Sequence, residues 1–206
     1  MSQKRQRHDH YFTTHPQSEV NFGLIKTRLH NVPFEFLTAA SVFSKKRVDT
    51  GTRLLVETMI LPKSGYVLDV GCGYGAVGIA AAIFHPSIKV VMTDVNIRAV
   101  HLAKENIERN RVKNARVKRG YLYEPVKDLN FNCVLSNPPV SAGIDTVKAL
   151  IMEAPKVLAE KAMLQMVVRS KIAGKILPAV FETTFGNCEV LSRKSGYRVL
   201  TAEKVK

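Results

Sequence analysis

From residue 66 onward, short apolar runs rich in β-branched residues alternate with segments whose apolar positions recur at helical spacing. The apolar runs predict seven strands, at Tyr66–Val70, Ile88–Thr93, Ala115–Lys118, Phe131–Ser136, Ala162–Arg169, Cys188–Arg193 and Tyr197–Thr201. The helical segments predict five helices, at Thr52–Leu61, Ala76–Phe84, Ile97–Asn110, Gly143–Leu158 and Ala173–Phe185. Such alternation is typical of an α/β fold in which helices cover both faces of a parallel sheet.

The last two strands depart from this alternation, because no helical segment separates them. Ser195-Gly196 lies between them as a turn signal, so we expect an antiparallel hairpin at the end of the chain. The predicted fold is therefore a seven-stranded, mostly parallel sheet with an antiparallel C-terminal hairpin. At the start of the first predicted helix, Thr50 or Thr52 is the candidate N-cap.

The chain of 206 residues has no Gly/Ser-rich or Pro-rich linker and no internal repeat, which favours one domain over residues 1–206. Residues 1–15 are rich in Lys, Arg and His and are predicted to form a mobile basic tail. Residues 16–50 are expected to form short strands and turns around Asn31-Val32-Pro33, packed as a lid or substrate-facing flap. Residues 51–206 then form the catalytic core.

The apolar runs are all shorter than the roughly 20 residues that span a bilayer, and the charged start does not resemble a signal peptide. We therefore expect a soluble, cytoplasmic protein. The cysteines, Cys72, Cys133 and Cys188, are odd in number and form no CxxC pair, which argues against disulfides and a cysteine-built zinc site. The histidines of the tail are too scattered to predict a metal site, so no metal is expected.

The net charge of +14, from 31 Lys+Arg against 17 Asp+Glu, predicts a polyanionic partner. Six of the basic residues fall between Arg109 and Arg119 without a single acid, and Lys45-Lys46-Arg47 forms a second cluster. Stabilising ion-pair networks need both signs of charge, so a purely structural role explains these clusters poorly. We therefore expect a nucleic acid as the partner, and no membrane.

A glycine-rich loop follows the first core strand, in the sequence Asp69-Val-Gly-Cys-Gly-Tyr-Gly-Ala-Val-Gly78. Three of its glycines fit G-x-G-x-x-G, so a dinucleotide site is one possible interpretation. Against that interpretation, Asp69 places a carboxylate where a pyrophosphate would lie nearby. A carboxylate there suits a cationic ligand, and Asp94, at the end of the second strand, is placed to meet ribose hydroxyls. S-adenosylmethionine, which has an ammonium, a sulfonium and a ribose but no phosphate, meets both requirements.

Asn137-Pro138-Pro139 follows a buried strand. Because a proline has no backbone N–H, the carbonyls of Asn137 and Pro138 are not consumed by a continuing helix or central strand. Together with the Asn137 side-chain oxygen they offer acceptors to a planar amino group with two hydrogens to donate. The motif therefore predicts methylation of an amine, with Asn137, Pro138 and Pro139 as the catalytic residues.

These motifs resemble the methyltransferase small-domain family of class I S-adenosylmethionine-dependent methyltransferases, which has a Rossmann-like fold. The likeness is to the branch of the 16S rRNA guanine-N2 methyltransferases and their archaeal single-domain relatives. Further residues that carry it are Phe43-Ser44, Asp49-Thr-Gly-Thr52 and Gly196-Tyr-Arg-Val199.

The resemblance implies a cofactor site and a substrate site. The cofactor residues would be Asp69, Gly71, Cys72, Gly73, Gly75, Asp94, Val95, Tyr121, Leu122 and Asn137. The substrate residues would be Phe43, Asp49, Val140 and Arg169, the last of which would meet an RNA phosphate.

Two positions depart from the family's pattern. Tyr121 stands where a small or acidic residue usually meets the adenine edge, and we expect it to pack into the core rather than stack on adenine. Val140 stands where an aromatic residue usually stacks on the substrate, and it offers apolar contact only. Tyr11, Phe12 or Phe43 would then help to hold the base.

The resemblance thus implies, as the leading hypothesis, an S-adenosylmethionine-dependent methyltransferase acting on the exocyclic N2 of a guanine in RNA, with rRNA as the first choice of substrate and tRNA as the second. Three alternatives remain open at the level of sequence. They are a protein glutamine-amide N-methyltransferase, a non-catalytic RNA-binding ribosome-assembly factor with the same fold, and NAD-dependent chemistry.

Overall fold

The structure is a computed structural model that describes residues 14, 21–39, 42, 44, 46–138, 143–171 and 176–205. The strands are β1 (Phe22–Leu29), β2 (Val32–Ala39), β3 (Gly65–Val70), β4 (Ile88–Asp94), β5 (Ala115–Arg119), β6 (Phe131–Ser136), β7 (Leu158–Arg169), β8 (Glu189–Lys194) and β9 (Tyr197–Glu203). The helices are α1 (Thr50–Thr58), α2 (Ala76–Phe84), α3 (Ile97–Arg109), α4 (Ile144–Glu153) and α5 (Leu177–Phe185).

Seven strands form one sheet in the order β5-β4-β3-β6-β7-β9-β8. The pairs from β5 to β7 are parallel, whereas β9 is antiparallel to both β7 and β8, so the predicted sheet is confirmed. Ser195 and Gly196 both have positive φ, as a two-residue type I′ hairpin turn requires. The chain leaves β3 toward β4 and later returns on its other side to β6, so a crevice opens where β3 ends.

Two apolar clusters cover the two faces of this sheet. Val67 and Leu68 are adjacent on β3 and fully buried, and they belong to opposite clusters because successive strand side chains alternate in direction. One cluster contains residues from α1, α2, α3 and the β1–β2 hairpin, and the other contains residues from α4 and α5. The inner strands β3, β4, β6 and β7 are therefore buried on both faces, as their apolar runs predict, whereas the edge strands β5 and β8 contain no buried residue.

The helix boundaries differ from the sequence prediction most clearly at α1, which begins at Thr50 and ends at Thr58, and at α4. The N-cap of α1 is Asp49, not a threonine, because its carboxylate accepts hydrogen bonds from the backbone N–H groups of Gly51 and Thr52. Helix α4 ends at Glu153 rather than Leu158, because Pro155 has no N–H to continue it and a short 3₁₀ turn follows.

The β1–β2 hairpin consists of two eight-residue strands rather than short ones. Asn106 on α3 and Asn110, the C-cap residue of α3, lie one helical turn apart, and each side-chain amide pairs with a backbone N–H and C=O of β2. Asn106 pairs with Leu37 and Asn110 with Glu35, so α3 substitutes for a neighbouring strand. Residues 22–39 of the predicted flap therefore form a hairpin that packs on α3.

Candidate active site

A cavity of about 330 Å³ opens at the carboxyl ends of β3, β4 and β6, where the strand order reverses. It is lined by Thr14, Val42, Thr52, Asp69, Val70, Gly71, Cys72, Gly73, Tyr74, Ala76, Val77, Thr93, Asp94, Val95, Ala99, Gly120, Tyr121, Leu122, Asn137, Pro138, Thr146, Val147 and Leu150. Its volume is within the range of small-molecule sites in proteins. Every predicted cofactor residue except Gly75 lines it.

The glycine loop forms one wall of the cavity. Gly71, Gly73 and Gly75 all have positive φ, which residues with a side chain rarely adopt. The N–H groups of Gly71 and Cys72 both donate to the carbonyl of Thr93, which joins the loop to the end of β4. Gly75 does not line the cavity; it caps α2 in the left-handed conformation.

Asp69 lies beneath this loop and is only 1% exposed. Its Oδ2 atom accepts a hydrogen bond of 2.9 Å from the backbone N–H of Gly78. Burial raises the pKa of Asp69 to about 7; the Gly78 N–H opposes this rise, and the nearby charge of Asp94 adds to it. A buried carboxylate that has one backbone donor and a second carboxylate nearby favours a cationic ligand.

Asp94 connects the loop to the start of α3. One of its oxygens accepts a bond from the N–H of Gly73 and the other from the N–H of Asn96, each 2.9 Å long. Burial raises its pKa despite these backbone donors. The N–H of Val95 is a third backbone donor to this carboxylate, and since a carboxylate has about four acceptor positions, room remains for a ligand hydroxyl.

Asn137 follows the last residue of β6 on the other side of the cavity. Its side-chain nitrogen donates to Thr52 Oγ1 at 2.9 Å and to Asp49 Oδ2 at 3.2 Å. A carboxylate oxygen can only accept, so these contacts identify which end of the amide is the NH₂ group. The Oδ1 atom of Asn137 has no hydrogen-bond partner among the described residues, and it remains available to a donor in the cavity.

Asp49 does not line the cavity; it holds residues that do. Its carboxylate accepts bonds from two backbone N–H groups of α1, from Asn137 and, at 3.4 Å, from the hydroxyl of Tyr197. Arg169 also lies outside the lining, and its Nε–H donates to the same Tyr197 hydroxyl. Phe43, Pro139 and Val140, like Tyr11 and Phe12, lie outside the described residues.

Tyr121 lines the cavity and is 44% exposed, so the expectation that it packs into the core is wrong. The following residue, Leu122, is buried instead, and its carbonyl accepts a bond from the Thr93 hydroxyl.

Several lining residues escaped the sequence prediction. Thr146 and Leu150 lie four residues apart on α4, a spacing that marks one helix face but not what that face contacts. Thr52 lies in the Asp49–Thr52 motif, and only its contact with Asn137 shows why that motif matters.

A second groove of about 400 Å³ lies between β1, the segment before α1, and α1 itself. Four cationic side chains line it, from Lys26, Lys46, Arg47 and Arg53. Glu35 pairs with Lys26 and Glu57 with Arg53, whereas Lys46 and Arg47 are exposed and have no ion-pair partner among the described residues. We call this feature the basic groove.

Across the described part of the chain, no helix is long and apolar enough to cross a membrane. Within the same residues, no group of three His, Cys, Asp or Glu side chains is placed to hold a metal ion.

Comparison with protein families matches residues 33–201 to the methyltransferase small domain. The chain is 35% identical to the uncharacterized protein YbxB of Bacillus subtilis, over 96% of this chain and 99% of that one. It is 34% identical to the ribosomal RNA small subunit methyltransferase C of Hamiltonella defensa, over 80% of this chain and 49% of that protein. The chain thus spans about half the length of the C methyltransferases that it matches.

Solved structures show the same fold. The 16S rRNA N2 G1207 methyltransferase of T. thermophilus, in complex with AdoMet and guanosine, superposes with a TM-score of 0.80 at 24% identity, over 92% of this chain and 52% of that chain. A methyltransferase from Pyrococcus furiosus superposes with a TM-score of 0.66 at 23% identity, over 76% of this chain and 84% of that chain.

Proposed function

Because this chain belongs to the methyltransferase small-domain family, we propose that it transfers a methyl group from S-adenosylmethionine to the exocyclic N2 of a guanine in rRNA. The single observation that carries this proposal is the amide of Asn137, fixed with its oxygen free at the edge of the cavity. Curated relatives named as rRNA small subunit methyltransferases support the choice of substrate. Such a substrate would place the protein in the cytoplasm.

The cavity residues divide between cofactor and substrate. Asp69 supplies negative charge for the cationic methionine portion, and Asp94 accepts from the ribose hydroxyls. Tyr121, partly exposed at the cavity, offers its ring to the adenine. Gly71 and Gly73 let the backbone approach the cofactor closely, because a side chain there would be strained.

Bound S-adenosylmethionine would supply an electrophilic methyl group on sulfur. The nitrogen that attacks it is a poor nucleophile, because its lone pair is delocalised into the guanine ring. Asn137 Oδ1 and the Pro138 carbonyl would each accept one N–H of this amine, which turns the lone pair toward the methyl group. The same two oxygens would stabilise the positive charge that develops on nitrogen. Pro139 contributes by having no N–H to compete for them.

Positive charge beside the site supports an RNA substrate. The basic groove shares helix α1 with the anchors of Asn137: Thr50 and Arg53 line the groove, and Thr52 contacts Asn137. A phosphate in the groove would therefore lie close to the base being modified. Arg169, exposed at the same edge of the sheet, is proposed as a further phosphate contact, and Phe43 and Val140 as contacts to the base.

The β1–β2 hairpin shares one buried apolar cluster with α1, α2 and α3, which supports a single domain that includes this hairpin.

The test uses small ribosomal subunits from a strain that lacks the gene, incubated with the full chain and methyl-labelled S-adenosylmethionine. We expect the label in N2-methylguanosine after digestion to nucleosides. Label in glutamine of a protein would establish the amide methyltransferase instead. RNA binding without any labelled product would establish the non-catalytic assembly factor.

The Asn137→Ala variant tests the mechanism. We expect transfer to fall by about 10²-fold or more, since a donor–acceptor contact to developing charge is lost, with the cofactor Kd unchanged. Asn132→Ala is the matched control, because Asn132 lies near the opposite end of the same strand, where its side-chain oxygen accepts a hydrogen bond from the N–H of Tyr66. Equal activity of Asn137→Ala and wild type would contradict the proposed role.

A further inference from the structure

Tyr197 connects an exposed arginine to the carboxylate that holds Asn137. It is the first residue of β9, and because β9 is antiparallel to β7, its start lies where the parallel strands end. Its hydroxyl lies 3.0 Å from Arg169 Nε and 3.4 Å from Asp49 Oδ1. The guanidinium carbon of Arg169 also lies 5.3 Å from the centre of the Tyr197 ring.

The direction of each hydrogen bond in this chain is determined by chemistry. Arg169 can only donate and the Asp49 carboxylate can only accept, so the Tyr197 hydroxyl accepts from the first and donates to the second. The Asn137 NH₂ group donates to the same carboxylate from the other side. A path of hydrogen bonds therefore runs from the protein surface to the side chain at the reaction site.

The two oxygens of Asp49 have different hydrogen-bond partners. Oδ2 accepts from the N–H groups of Gly51 and Thr52 and from Asn137, whereas Oδ1 is held by Tyr197. Without the tyrosine hydroxyl, the carboxylate is held through Oδ2 alone among the described residues, so it can swing further about its terminal bond. Such rotation weakens the contact to Asn137 while leaving an oxygen for the helix cap.

On the basis of the function proposed above, we infer that Tyr197 is a positioning residue for methyl transfer, acting through Asp49 to fix the amide of Asn137. Its ring has a separate structural role, because it lies against Gly51, where an added Cβ would be 2.9 Å from two ring carbons. The hydroxyl alone therefore carries the positioning role. The Tyr197→Phe variant removes the hydroxyl and keeps the ring, so it separates the positioning role from the structural one.

The first test is Tyr197→Phe in the full chain. We expect kcat to fall about tenfold, as for the loss of a hydrogen bond to a charged group, with the cofactor Kd within twofold of wild type. Tyr66→Phe is the matched control, because Tyr66 lies at the amino end of β3, at the opposite edge of the sheet. An unchanged kcat in Tyr197→Phe would overturn the inference.

The second test follows the Asn137 side-chain amide by ¹⁵N–¹H spectroscopy, with the resonance assigned by its loss in Asn137→Ala. We expect Tyr197→Phe, but not Tyr66→Phe, to shift this resonance and to speed its hydrogen exchange. This measurement needs no activity: if wild type transfers no methyl group, the proposed function fails, and the resonance still decides whether Tyr197 fixes Asn137. An unmoved resonance would overturn the inference.

A third variant separates the path from the helix cap. Serine is a good N-cap but is too short to reach Asn137 and Tyr197, so Asp49→Ser should retain α1 and lower kcat at least as far as Tyr197→Phe does. In the Asp49→Ser background, Tyr197→Phe should lower kcat no further, because the hydrogen bonds from Tyr197 through residue 49 to Asn137 are already lost. A full tenfold loss from Tyr197→Phe on top of Asp49→Ser would show that the hydroxyl does not act through Asp49.

Discussion

The Oδ2 atom of Asp69 lies 2.9 Å from the backbone nitrogen of Gly78, so the carboxylate at the end of β3 is bonded to the first turn of α2. A Cβ at position 78 would be 3.2 Å from that oxygen and 2.5 Å from the side chain of Met92. Glycine at position 78 therefore lets α2 approach β3 and β4 closely enough for its backbone to bind the carboxylate. This single contact is too weak to offset burial, and the pKa of Asp69 stays raised to about 7.

Cofactor binding should depend on pH through Asp69. In the free protein this carboxyl is protonated below pH 7, and a cationic ligand favours its ionised form, so binding there must release a proton. We expect affinity for S-adenosylmethionine to fall by up to about tenfold per pH unit as pH drops below 7, and to level off above it. Calorimetry between pH 5.5 and 7.5, in two buffers of different ionisation enthalpy, measures the proton released. A flat profile with no proton release would contradict this prediction.

Asp69→Asn should weaken cofactor binding and yet stabilise the free protein. The folded-state pKa is raised from 3.8 to about 7, so the carboxyl disfavours folding increasingly as pH rises across that interval and constantly above it. Asparagine keeps an oxygen for the Gly78 N–H without the charge. We expect urea unfolding to show a gain on the order of 2 to 4 kcal/mol at pH 8 and little change at pH 4. Asp145→Asn is the control, because that side chain is 93% exposed; an equal gain there would refute the explanation.

Asn106→Ala should destabilise the protein more than Asn110→Ala. Asn106 is fully buried, and its amide binds the N–H and C=O of Leu37 and the carbonyl of Tyr74, so its removal leaves three backbone groups without their partner. We expect a loss of about 2 to 4 kcal/mol in denaturant unfolding, against about 1 to 2 kcal/mol for the half-buried Asn110. Because Tyr74 lines the cavity, only Asn106→Ala should also weaken cofactor binding. The reverse order of stabilities would contradict the role assigned to these amides.

Charge reversal in the basic groove should affect RNA but not the cofactor. We expect the double change Lys46→Glu with Arg47→Glu to raise the KM for RNA by about tenfold or more and to reduce its salt dependence, with the cofactor Kd unchanged. Lys63→Glu with Lys161→Glu is the matched control, since both exposed residues lie near the amino ends of the parallel strands, away from the cavity. Equal effects of the two pairs would show that net charge alone, and not the groove, attracts RNA.

Local patterns in the chain were sufficient to predict most of the sheet. Apolar runs identify the inner strands β3, β4, β6 and β7 because these are buried on both faces. Ser195-Gly196 identifies the final hairpin because both residues adopt positive φ. The ends of α1 and α4 were harder to place, since Asp49 and two threonines compete for the cap and Pro155 lies within an otherwise helical pattern. These choices depend on which hydrogen bonds form.

The sequence by itself determined the order of strands and helices, the glycine loop, and the residues at the strand ends, because each depends on local periodicity and backbone freedom. Only the tertiary structure decided that the hairpin is fixed on α3, that Tyr121 faces the cavity, and that Asn137 is held by Asp49, 88 positions away. Residues so distant in sequence meet only when α1 packs on the sheet and the strands pair. The orientation of the Asn137 amide follows from its contacts with Asp49 and Thr52, since nothing in the local sequence decides which way the side-chain oxygen points.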